Sequence, residues 1–247
     1  MPALGSHLAS ARQIAERLAH RDVDLDRGAF YLGATAPDIR IITRGDREDT
    51  HFFTLDELAA QDSIARMLAT HPRLANVTEL DDVTRSFMAG YLTHLILDEH
   101  YIERMYREYF GAASTLKGDQ RADLLDRVLQ YEMERREREQ ADGMVAIREA
   151  IEASQDLASV EFIDAEQLRE WRDVAIDMAS HPANWERFAR VARSHVRGQG
   201  EAAEAELMAS VPELLREVLG HVSEERVRRF NEESIDEATR RIREYLG

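Results

Sequence analysis

Phe87-Met88-Ala89-Gly90-Tyr91-Leu92-Thr93-His94-Leu95-Ile96-Leu97-Asp98-Glu99-His100-Tyr101 is the stretch from which the rest of the chain is read. Around His94 and Asp98 the run is almost wholly apolar, which predicts a helix that buries most of its surface. His94 and Asp98 stand four residues apart, one above the other on a single face. An isolated buried carboxylate is too costly to leave uncompensated. Asp98 therefore needs a partner, either a hydrogen-bonded cation or a metal ion, and the run alone leaves that choice open.

Working outward, the same helix extends from Leu80 to Phe110. Upstream, Leu8, Ala11, Ile14, Ala15 and Leu18 fall at helical spacing and predict a first helix over 8–18, with Ser6 as its N-cap. Asp22 to Asp26 reads as a polar break and Ala29 to Ala34 as a short apolar segment. Pro37 disfavours helix at Ala36, so Ala36-Pro37-Asp38 reads as a turn or helix end. Ile39 to His51 reads as an irregular loop of mixed charge, of a length usually kept for function. A second helix is expected over 54–70, where Thr54 and Glu57 form a capping-box pattern and His71-Pro72 is the stop. Downstream, helices are expected over 123–153, 165–179, 184–196, 202–219 and 223–245. The last alternates charge sign, as solvated helix faces do. No segment alternates with the period of a strand. The expectation is an all-α chain in a single domain over 1–247, with a metal-binding part (1–110) and a helical extension (111–247).

Composition narrows the function classes. The chain has 247 residues, 44% of them hydrophobic, which suits a sizeable globular core. It has no cysteine, which removes disulfides, thiolate zinc sites and cysteine nucleophiles together. A formal net charge of −16 repels nucleic-acid phosphates and anionic membranes at long range, so no nucleic-acid partner is expected. A phosphate-bearing substrate stays compatible where bound cations reverse the local sign. Met1-Pro2-Ala3-Leu4-Gly5-Ser6-His7 has neither a basic region nor an apolar core of an export signal, and no window suits a membrane span. The expected compartment is the cytoplasm.

Four segments offer His or Asp in settings odd for surface residues: His7 opening the first helix, Asp38 after Pro37, His51 before Phe52-Phe53, and the His94/Asp98 pair. Imidazole nitrogen and carboxylate oxygen are the ligands that suit zinc and other borderline divalent ions in a cysteine-free protein. Each has a plainer alternative. His7 could be a frayed terminal residue, Asp38 a cap or Asx turn, His51 a hydrogen-bonded buried histidine, and His94 with Asp98 a simple pair. Their joint occurrence and order favour a metal. Trp171, Trp185 and Phe188 read as core, and His20, His71, His181, His195 and His221 as surface or helix-end residues. No His-Asp dipeptide, glycine-rich phosphate loop or G-x-S-x-G elbow occurs.

The order His near the N-terminus, Pro37-Asp38, Thr50-His51 and Gly90-Tyr91-Leu92-Thr93-His94-Leu95-Ile96-Leu97-Asp98 resembles the zinc-dependent phospholipase C superfamily, which also contains trinuclear single-strand nucleases. The resemblance covers about the first 105 residues and is strongest over Tyr31 to Asp38 and Gly90 to Asp98. It implies an all-α bundle with additional C-terminal helices. It also implies that Asp38, His51, His94 and Asp98 hold one zinc ion, while His7 and a bridging Asp98 take a neighbouring one. One zinc site is thus implied, with a second open, and another divalent transition metal in its place is an alternative. A further His/acid cluster found in the family is missing here. His100 is too close, and Trp185 and Gln199 stand where acids would follow His181 and His195. Met1-Pro2 replaces the processed N-terminal tryptophan of the secreted enzymes. The chain reads as a reduced, intracellular bacterial relative.

The function expected is a metal-dependent hydrolase of phosphoester bonds in a small or lipid-derived substrate. The ions would polarise the phosphoryl oxygens and activate water, with Asp38 as general base. Proximity in sequence adds Tyr91, Arg40 or Arg44 as substrate contacts. Glu99, His100 and Glu103 are expected to steady the ligands, and Glu132 to reach the site. The alternative is a non-catalytic helical protein whose metal fastens the Asp38 and His51 loops to the buried helix, with a binding or scaffolding role.

Overall fold

The computed structural model describes residues 2–139, 141–182 and 184–247, and among these every regular element is helical. Met1 of the terminal segment and Gln140 of the expected helix over 123–153 lie outside them. The helices are α1 (Leu4–Leu18), α2 (Arg21–Leu25), α3 (Arg27–Gly33), α4 (Arg40–Thr43), α5 (Glu48–His51), α6 (Ser63–Thr70), α7 (Asp82–Tyr101), α8 (Gln120–Arg138), α9 (Ala141–Ala153), α10 (Ala165–Ser180), α11 (Phe188–His195), α12 (Glu201–His221) and α13 (Glu224–Leu246). None is long and apolar enough to cross a membrane.

The quoted stretch is the axis of the molecule. Asp81 caps α7 by accepting from the Thr84 amide at 2.8 Å. From Ser86 to Tyr101 every residue of α7 is buried, because α1, α2, α3, α6 and α13 all pack against it. The backbone then continues as a π-helical segment over Ile102–Phe110. One continuous rod therefore joins two apolar clusters. Phe87, Tyr91, Leu92 and Leu95 lie in the first, with Phe30, Trp171 and Ile235. Tyr101, Met105 and Phe110 lie in the second, with Leu125, Phe188, Leu214 and Phe230.

The approach of α3 to α7 is set by two glycines. A Cβ on Gly90 would lie 1.9 Å from the Phe30 carbonyl oxygen, and one on Gly33 would lie 2.0 Å from that of Phe87. Only residues without a side chain let the two backbones meet, as in small-residue helix contacts generally.

Several local expectations are corrected. Helix α1 starts at Leu4, and Ser6 lies buried inside it; Ala3 is the cap, with no side-chain bond. Gly5 in this first turn lies against Glu134 of α8, and the packing of α1 on α8 and α13 outweighs the capping preference of serine. The polar break at 22–26 is largely α2, capped by His20 Nδ1 accepting from the Asp22 amide at 3.3 Å, and the apolar segment after it is α3. The loop over 39–51 contains the turns α4 and α5.

The Thr54/Glu57 capping box does not form. Gln61 clasps Thr54 instead, accepting from its amide at 2.9 Å and donating to its carbonyl at 2.8 Å. Leu58 is 80% exposed, so the segment has no core to pack on, and Asp62 caps α6 instead. The helix expected over 123–153 is two, α8 and α9. Arg138 near their junction is buried, donating to Glu134 at 2.8 Å and to the Met178 carbonyl at the end of α10 at 2.7 Å. Pro212 lies inside α12 without ending it. Helix α13 carries the solvated ion pairs its sequence suggests, such as Arg228 to Glu225 at 2.7 Å, while Phe230, Ile235 and Ile242 face inward.

Around the first turn of α1 the Glu134 carboxylate lies against Gly5, and Glu137 accepts from Asn231 at 3.2 Å. Burial and the neighbouring Glu134 push the Glu137 carboxyl from 4.5 up to about 8. Its folded value exceeds its unfolded one, so its contribution is complete below 4.5 and is lost as pH rises through about 8. Glu137→Gln is expected to remove this slope, which is at most about 1.4 kcal/mol per pH unit. Urea unfolding of both proteins at acidic and at alkaline pH checks it: the variant should gain on the wild type as pH rises. Parallel profiles would show that Glu137 ionises normally.

Candidate metal centre

Five side chains from four segments converge beside the middle of α7. His7 comes from the first turns of α1, Asp38 from a 3₁₀ turn over Ala36–Ile39, His51 from α5, and His94 and Asp98 from α7. His7 Nε2 is 3.4 Å from Asp98 Oδ1, and His51 Nε2 is 3.4 Å from Asp98 Oδ2. His51 Nε2 is also 3.5 Å from Asp38 Oδ1, and His94 Nε2 is 3.8 Å from Asp98 Oδ2. Two ligands about 2.1 Å from a tetrahedral zinc ion stand about 3.4 Å apart, so the spacing suits a shared ion. His7 stacks on His94 with ring centroids 3.7 Å apart and planes 8° from parallel. Two potential ligand sets result, His7/His94/Asp98 and Asp38/His51/His94, each with its donor atoms within 4.8 Å of one another.

The donor atoms are presented for a cation. His94 Nδ1 is 2.9 Å from the Ala34 carbonyl oxygen, which can only accept, so Nδ1 carries the proton and Nε2 turns a lone pair inward. Ala34 directly follows α3, so the Gly33/Gly90 contact sets this bond. His51 Nδ1 is 3.1 Å from Thr50 Oγ1, whose own proton goes to the Arg47 carbonyl at 3.3 Å. That hydroxyl therefore accepts from Nδ1, and His51 Nε2 is likewise bare. Tyr91 OH donates to the Thr50 carbonyl and steadies the same turn. His7 Nδ1 and Nε2, His51 Nε2, His94 Nε2 and Asp98 Oδ1 are all buried and lack a hydrogen-bond partner. Orphaned buried polar atoms are rare and costly, and here five converge. The residues fit a divalent metal.

Electrostatics points the same way. Burial pushes His94 down to about 3, with His7 adding to the effect, so its ring is neutral and free to ligate. Burial opposes the charge on Asp98, yet His94, His7 and His51 hold its carboxyl well below the usual range. Asp38 is also held low, against its burial, by the His51 ring 3.5 Å away and by His94. Burial, helped by Asp38, keeps Tyr91 protonated far above its ordinary value.

Sequence proximity missed one member. Arg47 donates to Asp98 Oδ2 at 2.8 Å and to the Phe53 carbonyl at 3.2 Å, with its side chain only 10% exposed. It caps α5, which was read as loop, and no sequence signal separates it from Arg40 and Arg44. Other expected members lie elsewhere. Tyr91 is wholly buried, which removes it as a substrate contact. Glu99 accepts from the Ser63 amide and hydroxyl, at 3.0 and 2.6 Å, and so anchors the start of α6. His100 meets Ser234 at 3.2 Å, and Glu132 is held by Arg135 and Arg136 at 2.8 and 2.6 Å. Glu103 lies 3.9 Å from Arg107. The positive φ of 58° at Arg44 ends α4.

All five site residues lie within residues 6–101, the part of the chain that matches the family described as zinc dependent phospholipase C. No curated protein and no solved structure matches the chain. The all-α architecture and the sequence match agree. Over residues 6–101, this chain is similar to the zinc-dependent phospholipase C family.

Proposed function

We propose that the protein is a metal-dependent hydrolase of phosphoester bonds in a small or lipid-derived substrate, with His7, Asp38, His51, His94 and Asp98 as the protein ligands. The observation that carries this reading is the set of buried, unpartnered donor atoms in a segment of a zinc-dependent family. Zinc is the metal the family favours. Bound there, it supplies Lewis acidity to a phosphoryl oxygen and to water. Asp38 is the catalytic residue of this proposal. Its side chain is 14% exposed where His51 and Asp98 show 1% and 4%, so it faces incoming water. Its depressed carboxyl remains ionised at neutral pH and is able to accept a proton. The net charge of −16 supports a small phosphoester over nucleic acid. One unit over 1–247, with 111–247 as a helical extension, is supported by the rod shared between the two apolar clusters and by α13 packing on α1 and α7.

The burial of His7, His51, His94 and Asp98 also favours a second reading, a structural ion fastening the turns that carry Asp38 and His51 to α7. A panel of phosphodiesters and phosphomonoesters, assayed with zinc-loaded and chelated protein, separates the two. Hydrolysis that disappears on chelation, and falls about 100-fold or more in Asp38→Asn with the melting temperature little changed, is expected for the enzyme. No hydrolysis with any divalent metal, together with a large fall in melting temperature on chelation, would leave the structural role.

A further inference from the structure

We propose that Arg47 takes the place of a second metal ion, so that the centre works with one divalent ion and one guanidinium. This rests on the metal reading above and sets the number of ions. The two ligand sets both require His94. His94 Nδ1 is committed to the Ala34 carbonyl, so its single Nε2 lone pair serves one ion. Completing either set leaves the other with two protein residues, below the three that even an open catalytic zinc site uses.

Asp98 is the residue that would have to bridge. A carboxylate joining two ions gives one oxygen to each. Asp98 Oδ1 faces His7, while Oδ2 already accepts a 2.8 Å charge-assisted bond from Arg47. The guanidinium does not lose its proton, and the bond to the Phe53 carbonyl holds it in place. A permanent cation is thus fixed on the bridging carboxylate, where it repels a second dication. Arg47 with one ion gives three positive charges against the two carboxylates of Asp38 and Asp98, and a second ion would leave that balance far more positive. Arg47 is accordingly a positioning residue that sets the stoichiometry.

Equilibrium dialysis against buffered zinc, with metal and protein both quantified, tests this. The wild type is expected to saturate at one zinc per chain, and Arg47→Lys, which keeps the charge, at the same ratio. Arg47→Gln keeps an N–H donor for Asp98 and Phe53 but removes the charge, and is expected to take up a second, weaker zinc. Circular dichroism of each variant reports the fold. A ratio of two in the wild type would overturn the proposal and leave the metal reading standing. A folded Arg47→Gln that stays at one would overturn the role of Arg47. A ratio of zero in the wild type would overturn the centre itself, and this proposal with it. Should Arg47→Gln fail to fold, the wild-type ratio still decides the number of ions.

Discussion

Asp98→Asn is expected to lose bound metal entirely and to lower the melting temperature by roughly 10 °C. The substitution keeps the shape of the side chain and removes its charge, so the two effects have separate causes. Metal is lost because Asp98 lies within 3.4 to 3.8 Å of all three imidazole donors and belongs to the His7/His94 set. Stability is lost because Arg47 remains nearly buried opposite a neutral amide. Removing one partner of a buried ion pair costs about 3–5 kcal/mol. In a protein of this size each kcal/mol moves the melting temperature by about 2–4 °C. Adding Arg47→Met to Asp98→Asn is expected to recover much of the stability without recovering metal, which a double-mutant cycle measures. A single variant that retains zinc would show that Asp98 is no ligand.

Gly90→Ala is the second large effect, although it touches no ligand. The new Cβ would meet the Phe30 carbonyl oxygen at 1.9 Å and its carbon at 2.8 Å. Both belong to backbone, so no rotamer change relieves the clash and α3 must move away from α7. Overpacking of a core typically costs about 1–3 kcal/mol, and a backbone-to-backbone conflict belongs at or above the top of that range. The melting temperature is therefore expected to fall by roughly 6 °C or more. Zinc affinity is expected to fall with it, because the separation breaks the bond from His94 Nδ1 to the carbonyl of Ala34, next to α3. Gly33→Ala presses on Phe87 from the other side and is expected to give the same pair of losses. The two changes in one chain are expected to cost less than their sum, since one displacement relieves both. Unchanged zinc affinity in a destabilised Gly90→Ala would separate the helix contact from the centre.

What was legible in the sequence followed from burial. His94 and Asp98 stood out because ionisable groups inside an apolar run must be explained, and that explanation led back to Asp38, His51 and His7. Arg47 did not stand out, because Arg40, Arg44 and Arg47 share one mixed-charge segment and only the tertiary fold selects among them. The start of α1 was misplaced because a serine suggested a cap, and contacts with α8 and α13 decided otherwise. The segment before α6 was read as helix because Thr54 and Glu57 fit a capping pattern, though nothing nearby covers Leu58. Gly33 and Gly90 were visible as parts of two motifs. Their shared role appears only once the helices are seen to touch, because close approach involves residues far apart in the chain.

The buried nitrogen and oxygen atoms without partners have a consequence for the life of the protein in the cell. The five residues proposed as ligands, between His7 and Asp98, meet only in the folded chain, so on that proposal the free energy of metal binding is also folding free energy. Apparent stability then rises with the logarithm of free metal once that concentration exceeds the dissociation constant. Unfolded fractions are what proteases remove, and changes of about 1–2 kcal/mol alter protein abundance several-fold. If the proposed ion is that missing partner, the amount of this protein is expected to depend on metal supply as well as on synthesis. A scarcity of zinc would clear the chain from the cell, not merely silence it.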